Sequence, residues 1–388
     1  MTEKLYYIDS HMKAFTATVT SCEQNEDRFE VTLDRTAFFP EGGGQLGDSG
    51  VIGGVRVFDT HEKNGEIKHY VNQALETGKT YDCAIDWETR FRRMQNHSGE
   101  HIVSGLVHKK YGYNNVGFHM GSDVVTIDFD GELSWEQLLE IEREANRAVA
   151  ANYKVTATFP AENVLKTLEY RSKLELTENV RIVEIENTDI CACCAPHVNS
   201  TAEIGTVRIL TAERRRRGGD GVRITMLCGL DAFEHEVIID ANNAEVSTLL
   251  SAKRTETAAA VRRLLSENEK LKARAAELSR ELARIKAEAI EPTEVNICLF
   301  ENALDEPALR ALVNEAVKKC SGVAAVFSGS DEAGYRYIIG SRNIDLRKAS
   351  KSINSGISGR GGGSPEMIQG SCTACSLTIQ NFLTNFTV

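Results

Sequence analysis

His97 and His101 stand four residues apart in a segment, Arg92 to Lys110, that is polar on one side and carries Met94, Ile102, Val103 and Leu106 on the other. That pattern predicts a helix, so both imidazoles lie on one face and can point at one ion. Far downstream, Cys191-Ala-Cys-Cys-Ala-Pro-His197 places Cys193 and His197 four apart as well. Two nitrogens from the first pair, and a sulfur and a nitrogen from the second, make a plausible Zn²⁺ set. Cys191 and Cys194 are competing ligands or buried neighbours. A tetrahedral site using all four residues is closed, as structural zinc sites usually are. Catalysis requires the ion to hold a water, take a fifth ligand or release one. His97-Ser-Gly-Glu-His101 also spells the pattern of inverted zinc peptidases, in which the glutamate is a general base. If Cys193 and His197 both bind, however, no position is left for a substrate water.

These residues need elements to hold them. Residues 1–90 read as short strands, Phe15–Thr20, Arg28–Leu33, Val51–Phe58 and Lys79–Ile85, separated by Gly, Asn and Asp turn signals, which suggests a small β-barrel. Within it, Glu41 to Gly50 is too rich in glycine for a regular element. Residues 91–230 mix helices and strands. After the histidine helix come a strand at Val124–Phe129, then a helix opened by the capping pattern Ser134-Trp-Glu-Gln137. Further strands are expected at Val155–Phe159, Val180–Ile185, Thr206–Leu210 and Val222–Cys228. This is an α+β domain, expected to bind zinc. Residues 231–291 contain no Gly or Pro and predict a long helix or helical hairpin. The second half keeps a seven-residue repeat, with Val261, Asn268, Ala275 and Leu282 at one seam position and Leu264, Leu271, Leu278 and Ile285 at the other. It reads as a homodimer seam from Val261 to Ile285, extended by the C-terminal domain, or as an intramolecular hairpin. Residues 292–388 suggest a small α/β domain, and two buried thiols, Cys372 and Cys375, on a C-terminal helix.

The chain of 388 residues is long enough for several such domains, which makes the expected fold class α+β multidomain. Its 45 Lys and Arg against 56 Asp and Glu leave a net charge of −11, which argues against wholesale nucleic-acid coating while permitting local basic patches. No run is long and apolar enough to span a membrane, and the N-terminus lacks a signal core, so a cytoplasmic location is expected. The ten cysteines then read as thiols or metal ligands.

Several stretches, in order, resemble one family. Thr36-Ala-Phe-Phe-Pro-Glu-Gly-Gly-Gly-Gln45 is similar to the T-x-F-Y-P-x-G-G-G-Q element of the alanyl-tRNA synthetase editing module. His97–His101 and Cys193–His197 look like its zinc ligands, and Gly117–Ser122 and Gly221–Ile224 match two further signatures. Gly361 to Gly370 resembles the glycine-rich motif of the synthetase's C-terminal, DHH-associated domain. The chain opens directly in the barrel, so it resembles the free-standing editing proteins of the AlaX type, in the long form. Two departures stand out: the usual C-G-G-T-H reads Cys193-Cys-Ala-Pro-His197, and the aromatic pair is Phe38-Phe39.

The resemblance implies hydrolysis of seryl-tRNA(Ala), and of glycyl-tRNA(Ala), at the ester of the terminal adenosine, with one Zn²⁺ per chain. A non-catalytic tRNA-binding protein with structural zinc is the alternative. An aminoacyl ester is already activated, so the site must chiefly orient water and stabilise an oxyanion. Gly42, Gly43 and Gly44 can bring backbone N–H groups close to a phosphate, ribose or oxyanion. Gln45 and His119 offer polar handles to the same pocket. The hydroxyl of Thr36 is the expected serine selector, since sites built to bind a hydroxyl reject analogues lacking it. Two basic stretches are expected to meet tRNA phosphates. One is Arg214–Arg217 with Arg223. The other carries Arg342, Arg347, Lys348, Lys351 and Arg360 against the single acid Asp345.

Overall fold

The computed structural model describes residues 2–121, 123–172, 180–215 and 220–387, which divide into two units, Met1–Asn242 and Asn243–Val388. In the first unit, six strands close into a barrel in the order Ala14–Asn25, Arg28–Leu33, Glu66–Val71, Val55–Lys63, Gly50–Ile52 and Thr80–Ile85. Val19, Val31, Leu33, Ile52, Val57 and Val71 fill its interior. The single strand expected at 51–58 is in fact two. Gly53 and Gly54 take φ of 56° and 84°, the left-handed pair that a tight hairpin demands, and the chain reverses there. The strand Glu66–Val71 was not expected from the sequence.

Helix α1 (Trp87–Tyr111) and helix α2 (Trp135–Ala150) cover a four-stranded antiparallel sheet ordered Val207–Arg214, Val222–Cys228, Val125–Phe129, Asn115–Met120. The capping box opens α2 as its sequence requires: Gln137 N–H donates to Ser134 Oγ (3.3 Å), and Ser134 N–H donates to Gln137 Oε1 (2.8 Å). Ile102, Val103 and Val107 from α1 and Leu138, Ile141 and Ala145 from α2 bury the core with Ile127, Phe129, Ile224 and Met226. A three-stranded antiparallel sheet, Val155–Thr158, Ile182–Ile185 and Asp189–Ala192, follows, with the short helix α3 (Glu162–Leu165) in its first connection.

One buried ion pair locks the barrel to α1. Arg90 Nε donates to Asp48 Oδ2 (2.8 Å), Nη2 reaches the same carboxylate and Ala37 O (2.6 Å), and Nη1 reaches Ser10 O (3.2 Å). Asp48 Oδ2 also accepts from Phe39 N–H (2.7 Å). Both side chains are buried. The histidine-bearing helix is thereby held against the loop that follows Thr36.

The helical stretch after residue 229 is not continuous. Helix α4 (Gly229–Leu249) and helix α5 (Thr257–Ala289) are separate, and the boundary between the units falls within α4. No Gly or Pro marks the break. Ser251 adopts φ of 49°, and Ser247 Oγ donates to Ala252 O (2.5 Å), so side-chain hydroxyls compete with the helix ladder. In the second unit, Ala283 and Ala287 of α5 pack on helix α6 (Glu306–Ala316) and one face of a five-stranded sheet. The strand order is Ile297–Phe300, Val323–Ser330, Gly334–Ser341, Met367–Cys372, Gly359–Gly363. Helix α7 (Leu346–Gly356) and helix α8 (Ser376–Thr384) cover the other face. Cys372 lies buried on a strand and Cys375 is exposed at the start of α8, so the expected pair of buried helical thiols is not formed. Among the described residues, no helix is long and apolar enough to cross a membrane.

Candidate metal centre and its cavity

His97, His101, Cys193 and His197 bring one ligand atom each to within 4.8 Å of one another. Two come from one face of α1. The other two come from the turn after the strand Asp189–Ala192. Cys193 Sγ lies 3.6 Å from His97 Nε2 and 3.3 Å from His197 Nε2. For a tetrahedral ion with Zn–N near 2.0–2.1 Å and Zn–S near 2.3 Å, N and S should be about 3.6 Å apart. The donor set and its spacing therefore fit zinc.

Each histidine is oriented from behind. His97 Nδ1 faces Gln45 Oε1 (2.9 Å), His101 Nδ1 faces Asp189 Oδ2 (3.0 Å), and His197 Nδ1 faces Ser98 Oγ (3.0 Å). Both the amide oxygen and the carboxylate only accept, which puts the proton of His97 and His101 on Nδ1 and frees Nε2 for an ion. Burial works against ionisation of Cys193, but His97 and His197 beside it hold the thiol well below its ordinary value, as a thiolate ligand requires. Burial pushes His197 down to about 3. Burial also works against the charged form of His101, yet Cys191 and Asp189 hold it well above the ordinary histidine value. An incoming cation therefore competes with a proton there. A second group, His101, Asp189 and Cys191, also lies within ligand range, but Arg171 grips the Asp189 carboxylate through Nε and Nη2 at 2.7 Å each. Burial pushes the Cys191 thiol up to about 11, away from a ready ligand. Cys194 is exposed.

The cluster opens on a cavity of about 550 Å³ lined by Gly43, Gly44, His97, His101, Phe118 and Cys193 among others. Gly44 has φ of 83°, and a Cβ there would fall 2.6 Å from Phe118 Cδ1, so only glycine lets this loop approach the ring. The turn is closed by Gly42 N–H to Gln45 O and Gln45 N–H to Gly42 O, both 3.0 Å.

The other expected site residues fall in several places. Thr36 is fully buried in the barrel: its Oγ lies 2.8 Å from His69 Nε2 and accepts from Phe38 N–H (3.1 Å), and it does not line this cavity. His119 is exposed and absent from the cavity wall. Strand alternation sends it to the face opposite Phe118, whose ring packs 4.7 Å from that of His97. Arg223 is not a free cation. It is the cross-strand partner of Asp128 and donates to both of its carboxylate oxygens at 2.7 Å. Arg214 pairs with Asp220 at 2.9 Å. Arg216 and Arg217, and Ser122 of the Gly117–Ser122 motif, lie outside the described residues. Arg347, Lys348 and Lys351 are exposed on α7 and Arg360 on the glycine-rich strand of the second unit.

Sequence reasoning missed Ser98, Asp189, Arg171 and Arg181. Arg181 donates through Nη1 to Cys193 O (3.0 Å) and Ala195 O (2.8 Å), holding the ligand turn. Ser98 and Asp189 sit beside expected ligands in sequence, but their spacing carries no signal of a supporting role.

Residues 180–225 match the family described as the threonyl and alanyl tRNA synthetase second additional domain. The chain is 30% identical to the alanyl-tRNA editing protein AlaX-L of Pyrococcus horikoshii, across 95% of this chain and 94% of that protein. It is 34% identical to the alanyl-tRNA editing protein AlaX-M of Methanosarcina barkeri, over 58% of this chain and the whole of that protein. It is also 29% identical to an alanine–tRNA ligase of Ignicoccus hospitalis, over 93% of this chain but only 40% of the ligase.

Proposed function

The chain belongs to the AlaX family of alanyl-tRNA editing proteins, and from that premise we propose that it deacylates tRNA(Ala) mischarged with serine or glycine. The observation that carries this reading is the convergence of ligand atoms from His97, His101, Cys193 and His197 within 4.8 Å, three of these residues lining the cavity. His97, His101, Cys193 and His197 are the residues that would hold one Zn²⁺. When bound, the ion supplies a Lewis acid that polarises a carbonyl or lowers the pKa of water. The protein's own groups do the rest. The N–H groups of Gly43 and Gly44, which do not close the turn, are the proposed donors to the ester oxyanion. Gln45 is fully buried and does not line the cavity, so its proposed part is to orient His97 through Oε1.

Thr36 is the proposed serine selector. His69 Nδ1 faces Val31 O (2.9 Å) and must donate there, so its Nε2 accepts the Thr36 hydroxyl proton. Because Thr36 is buried outside the cavity wall, a seryl hydroxyl would reach its Oγ only if the loop after Thr36 moves, and would then have to donate there. Thr36→Val removes that acceptor and also leaves His69 Nε2 and Phe38 N–H unpaired. It should lower hydrolysis of seryl-tRNA(Ala) relative to alanyl-tRNA(Ala) by ~1–3 kcal/mol in barrier, and an unchanged ratio puts the selector elsewhere. Arg347, Lys348, Lys351 and Arg360 are the proposed phosphate contacts, in a protein placed in the cytoplasm by this role. We further propose a homodimer through Val261–Ile285 and the C-terminal domain. The deciding experiment is single-turnover hydrolysis of seryl-tRNA(Ala). A zinc-loaded protein that binds tRNA but leaves the ester intact favours the non-catalytic alternative.

A further inference from the structure

The ligand cavity has an aromatic mouth that the chemistry above does not use. Tyr7, from the N-terminal 3-10 turn, and Phe159, after the strand Val155–Thr158, both line it. Their ring centroids lie 5.4 Å apart at 72°. Tyr7 is fixed in place: Tyr6 packs against it at 4.6 Å, and the Arg181 guanidinium lies 5.2 Å from its ring centre. That same guanidinium holds the carbonyls of Cys193 and Ala195. The Tyr7 ring is thus in register with the ligand turn through one shared side chain. Phe159, in contrast, is 53% exposed. The Arg181 side chain is buried, and its Nε has no hydrogen-bond partner in the protein.

We propose that Tyr7 and Phe159 form a stacking platform for the terminal nucleobase of the acceptor strand, with Arg181 as the donor beside it. This inference rests on the editing reading and deepens it. A seryl or glycyl group has no planar apolar surface, whereas the adenosine it is esterified to has one. Exposed aromatic rings beside a polar cleft bind bases through their π-faces. The platform lies in the wall of the same cavity as the ligand cluster, so one aminoacyl-nucleoside can meet both.

The test uses the full-length protein and two hydrolysis-resistant probes: adenosine carrying serine through an amide at the ester position, and the same seryl ribose without its base. Phe159→Ala should weaken binding of the first probe about tenfold and leave the second unchanged. Phe159→Trp should restore wild-type affinity. Zinc content should match wild type in both variants. Wild-type affinity of Phe159→Ala for the adenosine probe, or an equal loss on both probes, overturns the inference while leaving editing intact. A wild-type protein that neither binds the adenosine probe nor hydrolyses seryl-tRNA(Ala) overturns the editing reading, and this inference with it.

Discussion

A metal-ligating histidine has its tautomer and ring orientation fixed by what its other nitrogen meets. Gln45, Asp189 and Ser98 fill that role behind His97, His101 and His197. Cys193→Ala and His101→Ala should each abolish stoichiometric zinc, while Cys375→Ala, exposed at the start of α8, should retain it. Metal analysis of purified protein checks this, and full retention in both ligand variants would refute the assignment. His69 gives a separate test. It is fully buried, and burial holds it down to about 4 against an ordinary value near 6.5. The folded state therefore refuses a proton that the unfolded chain accepts. Its contribution is complete above pH 6.5 and is lost as pH falls from there to about 4, amounting to ~3 kcal/mol. Urea unfolding between pH 7 and 4.5 should show this loss in the wild type and a flatter dependence in His69→Gln.

Among elements, the joint between the barrel and α1 matters most to the site, because it sets the distance between the glycine loop and the two helical histidines. Arg90→Ala strands the buried Asp48 carboxylate and should cost about 3–5 kcal/mol. Arg56→Ala removes a half-exposed pair with Asp86 and should cost no more than ~1 kcal/mol. Thermal melting of both variants separates the two cases. The seam of α5 is the other element-scale question. Val261, Leu264, Leu271, Leu278 and Ile285 are all exposed, up to 69% at Leu271, while Ser279, Ala283 and Ala287 face the protein's own core. Leu282 of the same repeat packs on the second unit's core, so the repeat leaves its own core only from Val261 to Leu278 and again at Ile285. Leu271→Glu with Leu278→Glu should convert a dimer into a monomer in sedimentation without unfolding it; a wild-type monomer ends the dimer proposal.

For the whole molecule, the question is how work divides between the two units. The ligand cluster and its cavity lie in Met1–Asn242, and the exposed cations of α7 lie in Asn243–Val388. An editing protein whose whole length aligns with 58% of this chain shows that so named a protein exists at that size. Truncation after Leu249 should keep zinc and hydrolysis of a minimal acceptor-stem substrate. Affinity for full tRNA(Ala) should fall and depend less on salt, because phosphate contacts are lost. Binding titrations across salt concentrations check this. Identical slopes assign the second unit to assembly or stability instead.

Features written in short spacings were legible without coordinates. The i, i+4 ligand pairs, the Ser134 capping box and the glycine loop each follow from local geometry, where steric limits and one helical turn decide the outcome. Contacts between distant segments were not. Gln45, Asp189 and Ser98 meet their histidines across 52, 88 and 99 residues of sequence. Strand register paired Arg223 with Asp128, 95 residues away in sequence. The break between α4 and α5 was hidden as well, because hydroxyl side chains made it where glycine or proline usually would. Residue type and spacing limit which atoms could bind an ion; tertiary packing sets which protons they carry and which cations are paired, since both depend on what burial and register place opposite each group.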